Sequence, residues 1–193
     1  MDPNGYRHQK NYRSLLQALS RPGRIVRLDG RDGMPPFAAA AALAECLLDS
    51  AVGFCVTGGG RAQDLQTAIA GATGARLEHP EAADFVFFSE GGSRGGARLA
   101  KRGAPESPED GATLVYCLES QPAVVCDRLR VRLAGPGIPG RDGIVPEMDG
   151  IPIEEFQALM AANADYPLGV DAFFVRSGGE VMGLPRSTRI LVR

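Results

Sequence analysis

An alternation ending at residue 133 constrains this chain more than any other feature. Leu129, Val131 and Leu133 alternate with Arg128, Arg130 and Arg132, and Gly135-Pro136-Gly137-Ile138 follows at once. A period of two sends the apolar set to one face of a strand and the arginines to the other. A strand from Leu129 to Leu133 therefore needs a core on one side, with its arginines left for solvent or a partner. Gly135 and Gly137 permit positive φ and leave backbone amides without Cβ cover, as a turn that approaches a second backbone or an anion requires. Glycine-proline clusters are also ordinary loop punctuation, so the turn reads either as structure or as a ligand loop.

The rest of the chain alternates between helical and extended patterns. Tyr6 to Ser20 carries Tyr12, Leu15, Leu16 and Leu19 at helical spacing and stops at Pro22-Gly23. Ile25 to Leu28 predicts a short strand, and Phe37 to Leu48 is apolar nearly throughout, as a helix buried on most sides would be. Val52 to Val56 empties into Thr57-Gly58-Gly59-Gly60, and a helix over Gln63 to Ala72 follows. Phe85 to Phe88 and Ala112 to Leu118 read as strands, and Glu106 to Gly111 as a polar turn. Ile151 to Phe156 opens a helix whose Phe156, Leu159 and Met160 should face the core. Ala172 to Val175 and Val181 to Leu184 form a hairpin across Ser177-Gly178-Gly179-Glu180, and Ile190 to Val192 predicts a closing edge strand. The economical solution is α/β: a single domain, residues 1–193, with a mixed β-sheet flanked by helices.

Composition narrows the function classes. With 44% apolar and 23% charged residues and no apolar run of spanning length, the 193 residues fit a globular domain rather than a membrane or disordered chain. A net charge of -2 argues against general affinity for nucleic acid or acidic membranes. The polar stretch from Met1 to Lys10 lacks a secretory h-region, so a cytoplasmic location with reduced thiols is expected.

Cys46, Cys55, Cys117 and Cys126 form no CxxC pair, and His8 and His79 stand apart, so no zinc site is expected and the thiols read as core residues. Gly91 to Gly96 with Arg94 and Arg98 lacks the lysine and Ser/Thr of a P-loop. Neither Lys10 nor Lys101 is placed as a Schiff-base lysine, and Asp149, Glu154 and Glu155 read as helix-start charges. One pairing stands out. Asp171 opens the first hairpin arm and Arg186 follows the second, so topology brings them together, either as an ion pair fixing loops or as a device orienting a phosphate or hydroxyl. Ser187 and Thr188 add donors beside Arg186, with no histidine base for nucleophilic catalysis.

Five segments in series, Tyr12 to Gly23 (Tyr-Arg-Ser-Leu-Leu-Gln-Ala-Leu-Ser-Arg-Pro-Gly), Pro105 to Leu114, Leu133 to Ile138, Tyr166 to Asp171 and Leu184 to Thr188, resemble the PhnH subunit of bacterial carbon-phosphorus lyase. Tyr12 stands where that family usually has phenylalanine, and Ala72-Thr73 where a His-Thr pair is often found. The resemblance implies a fold like that of pyridoxal-phosphate-dependent transferases without the cofactor, hence no PLP, and a homodimer. It also implies association with the other core subunits of a complex that displaces adenine from ATP by a phosphonate, giving ribose 1-phosphonate 5-triphosphate; a separate radical subunit later breaks the carbon-phosphorus bond. Two roles follow. Either the chain serves mainly in assembly, or Gly135, Gly137, Asp171, Arg186 and Thr188 line a cleft that binds ATP or phosphonate directly.

Overall fold

The computed structural model describes residues 3–30, 36–118 and 130–192. In chain order the elements are α1 (Pro3–Ser20), β1 (Ile25–Arg27), α2 (Ala38–Leu47), β2 (Gly53–Thr57), α3 (Ala62–Thr73), β3 (Arg76–Leu77) and β4 (Phe85–Phe88). After a 3-10 turn at Gly96–Arg98 come β5 (Arg102–Ala104), β6 (Ser107–Gly111), β7 (Thr113–Leu118), β8 (Val131–Ala134), α4 (Ile153–Ala162), β9 (Asp171–Arg176), β10 (Glu180–Leu184) and β11 (Arg189–Val192).

Seven strands form one sheet in the order β1-β10-β9-β7-β4-β2-β3. From β9 to β3 all neighbours are parallel, and the β9–β10 hairpin and β1 add an antiparallel margin. Parallel strands covered on both faces are apolar at every position, which is why β4, β7 and β9 read as unbroken apolar runs. The pleat still sorts them. Val86, Phe88, Leu114, Tyr116, Ala172 and Phe174 face one core with Phe156 and Leu159 of α4, while Phe87, Val115, Phe173 and Val175 face a second core with α1, α2 and α3. Across the first face an aromatic row runs from Phe88 to Tyr116 (centroids 4.9 Å) to Phe174 (4.7 Å) to Phe156 (6.0 Å), which ties three adjacent strands to α4.

Several expectations shift in register or partner. On α1 the buried residues are Asn11, Leu15 and Ala18, whereas Tyr12 and Leu16 are about half exposed. The cause is close approach: a Cβ on Gly183 of β10 would stand 2.8 Å from the Ala18 backbone, so a small residue must face the sheet there. Asn11 is then satisfied by both polar backbone atoms of Asp29, at 2.9 Å each. Met160 of α4 is 39% exposed rather than core. The polar stretch 106–111, expected as a turn, is largely strand β6, paired with β5 in a separate two-stranded hairpin. The strand expected over 129–133 appears as β8, with Val131 and Leu133 buried and Arg132 between them half-buried. Arg128, Leu129 and Cys126 lie outside the described residues. β8 stands outside the main sheet, pairing only with β11 among the described strands.

Candidate functional site

The β9–β10 register, with Leu184 opposite Ala172, carries Arg186 back to the start of β9. Asp171 there accepts a hydrogen bond from the Arg186 backbone N–H at 2.7 Å through Oδ1, and from Nη2 at 2.7 Å and Nε at 3.2 Å through Oδ2. The same guanidinium donates to the carbonyls of Pro108 and Gly111, tying the β5–β6 hairpin to the sheet. Glycine is needed at 111, because a Cβ would stand 2.6 Å from Arg186 Nη1 and collide with the Gly169 carbonyl. With its side chain only 15% exposed, Arg186 sits at the junction of three segments, and four of its N–H···O contacts point inward.

A cavity of about 550 Å³ opens on the far side of this junction, lined by Pro136, Asn163, Tyr166, Arg186, Thr188 and neighbouring residues of β11. Thr188 is 5% exposed; its N–H donates to the Pro185 carbonyl, but its buried Oγ1 has no hydrogen-bond partner among the described residues. Asn163 closes the 163–170 loop, donating to the Val170 carbonyl (3.1 Å) and accepting from the Val170 N–H (2.7 Å). Tyr166, Met160 and Leu191 are exposed apolar side chains around the same opening.

The glycine turn divides between two places. Gly135, at φ 136°, packs beneath the 187–188 backbone, where a Cβ would stand 2.9 Å from the Ser187 carbonyl. Gly137, at φ 77°, turns the other way: a Cβ there would strike the Ser20 carbonyl at the end of α1. The structure thus brings Gly135, Asp171, Arg186 and Thr188 around one junction and leaves Gly137 on a different cleft.

Several other titratable groups are held structurally. Lys101 pairs with Asp84, and Lys10 with Asp29 at 2.7 Å. Burial tends to raise the Asp84 carboxyl, but Lys101 and the Gly53 N–H outweigh it and hold the group below its usual range. Burial pushes the Cys46 thiol up to about 11 and the Cys117 thiol up to about 12, which keeps both protonated at neutral pH. Glu155 lies in the first turn of α4 as expected and is also buried, 5% exposed, with Oε1 accepting the Ser93 N–H at 2.8 Å. Beside it, burial raises the Tyr116 phenol far above its ordinary value, and the Glu155 charge adds to the shift. Nothing local separates Glu155 from Glu154 in sequence; only the packing of α4 under the 91–96 loop does. Asn163 carried a signal, being a polar residue just past a helical pattern, where side chains close loops. No cluster of three or more metal-ligating side chains occurs among the described residues, and no described helix is long and apolar enough to cross a membrane.

Comparison with known proteins agrees with the five segments. Over 185 residues the chain is 34% identical to a protein named as a C-P lyase subunit, HtxG of Stutzerimonas stutzeri, covering 95% of this chain and 86% of that relative. Residues 3–191 match the family described as bacterial phosphonate metabolism protein (PhnH). This sheet, with its Asp171–Arg186 junction and its divided glycine turn, therefore belongs to a member of the PhnH family of bacterial phosphonate metabolism proteins.

Proposed function

We propose that the chain is a subunit of the carbon-phosphorus lyase core complex, required when a phosphonate displaces adenine from ATP to form ribose 1-phosphonate 5-triphosphate, and that it acts mainly in assembly. The observation that carries this reading is the engagement of Arg186. The guanidinium of Arg186, which could grip a phosphate in this cavity, is spent on Asp171, Pro108 and Gly111 inside its own fold. The exposed apolar side chains beside it, Tyr166, Met160 and Leu191, are what a partner would cover. The reading includes a homodimer in the cytoplasm and an architecture like that of PLP-dependent transferases working without PLP. The pairing of both lysines with carboxylates supports that last point.

A second reading, direct binding of ATP or phosphonate in the Arg186 cavity, is favoured by one feature, the unpartnered Thr188 hydroxyl. Adenine release from ATP and methylphosphonate by the companion subunits separates the two. Leu191→Glu, on an exposed position, is expected to abolish co-purification and adenine release together, while Thr188→Val preserves both. An unchanged complex mass with Leu191→Glu would overturn the assembly reading. Loss of release with Thr188→Val in an intact complex would establish the second.

A further inference from the structure

We propose that the cleft where α1 ends is a binding site for a dianionic phosphoryl or phosphonyl group, with Arg21 as its anchor. The cleft holds about 490 Å³ and is lined by Gln17, Arg21, Arg24, Ile25, Gly137 and Glu147 among others. It is separate from the Arg186 cavity and does not depend on which surface serves assembly.

Two distant segments build it. Arg21-Pro22-Gly23-Arg24 and Gly135-Pro136-Gly137-Ile138 meet here because Gly137 lies against the Ser20 carbonyl, and Gly23, at φ 85°, lies against the Leu133 side chain; a Cβ there would stand 2.7 Å from Leu133 Cδ1. Glycine at both positions lets the backbones close without filling the cleft. The charges then divide. Arg24 is held at the rim by Glu147 Oε1, and Glu147 Oε2 accepts the edge-strand N–H of Ile25 at 2.9 Å. Glu147 is thus occupied on both oxygens. Arg21 is exposed and makes no ion pair with the described residues, so among the described lining residues two guanidinium groups face one carboxylate and leave a net positive charge. A planar fork with free donors suits a tetrahedral oxyanion that accepts two parallel hydrogen bonds.

The C-terminal end of a helix disfavours an anion, and the charge of Arg21 at that end offsets it; one helix carbonyl and two in the turn beyond are engaged. Gln17 O accepts both the Arg21 N–H (3.0 Å) and Ser20 Oγ (3.1 Å), Arg21 O accepts the Arg24 N–H (3.3 Å), and Gly23 O accepts the Glu147 N–H (2.8 Å). The exposed guanidinium of Arg21 is the cation that meets the ligand.

The test is calorimetric titration of the full chain with inorganic phosphate, methylphosphonate and ATP in separate experiments. Saturable one-site binding is expected for at least one of them, and the arm that saturates names the source of the group. Arg21→Ala should weaken that binding at least tenfold, about 1.4 kcal/mol, and Arg21→Lys by less, since charge is kept and the fork lost. Arg13→Ala, which removes an exposed charge from the same helix, should leave it unchanged. No saturable binding in any arm would overturn the proposal. So would an Arg21→Ala affinity within twofold of native, or an equal loss with Arg13→Ala. Because Arg21 is exposed, its variants should melt with the native chain, which separates lost binding from lost fold.

Discussion

Replacing Arg186 by alanine decides whether its guanidinium serves the fold or a ligand. The substitution removes three side-chain donors to Asp171 and Gly111 at 2.7–3.3 Å and a fourth to Pro108. Asp171 keeps only the backbone N–H of residue 186, and two carbonyls lose their donor. A hydrogen bond to a charged group is worth about 1.5–3 kcal/mol and a neutral one about 1 kcal/mol. The pair is partly exposed, with side chains 15% and 25% accessible, so entering water recovers part of the sum. The net expectation is a loss of about 3 kcal/mol, which in a chain of this size lowers Tm by about 6–12 °C. Arg186→Lys keeps a charge near Asp171 but cannot span Asp171, Pro108 and Gly111 together, and should lose about half as much. Urea unfolding followed by circular dichroism reads both. If Arg186→Ala unfolds within about 0.5 kcal/mol of native, the scale of an ordinary surface substitution, the clamp is not structural. Combined with lost ATP or phosphonate binding, that result would return Arg186 to a ligand site.

Two further outcomes are expected. The Asp84 carboxyl is held below its usual value, so its pairing with Lys101 stabilises the fold at pH above the ordinary carboxyl range, and this contribution is lost as pH falls through the depressed folded value. Asp84→Asn should therefore be less stable than native at pH 7, by under about 1 kcal/mol for so exposed a pair, with the gap closing toward pH 3; a gap that widens in acid would contradict the assignment. Cys117 and Cys46, protonated because burial pushes their thiols up to about 12 and about 11, should resist iodoacetamide at pH 8 in the folded chain and react once it is unfolded in urea. Peptide mass spectrometry follows each thiol, and rapid labelling of Cys117 in the native state would count against its burial.

What was legible in the sequence was local. Strands β2, β4, β7 and β9 announce themselves as short apolar runs bounded by glycine or polar residues, and a period of two survives even where both faces are buried. The β9–β10 hairpin was legible too, and with it the meeting of Asp171 and Arg186, because antiparallel register carries one strand end back to the other. The five segments marking the family were likewise present in the chain itself.

Tertiary structure decided the rest. Spacing on α1 allowed a face through Tyr12, Leu15, Leu16 and Leu19, and only the close approach of Gly183 selected Ala18, Leu15 and Asn11 instead. The 106–111 segment has no apolar alternation to announce a strand; it is held as one by β5 and by Arg186, a residue far along the chain. The direction each glycine of the 135–137 turn faces depends on what packs behind it, Ser187 for Gly135 and Ser20 for Gly137. Local pattern depends on neighbours within a few residues, so it can set period and hairpin register. Which face is buried, and which distant segments share a cleft, are set by contacts between residues that the chain brings together only on folding.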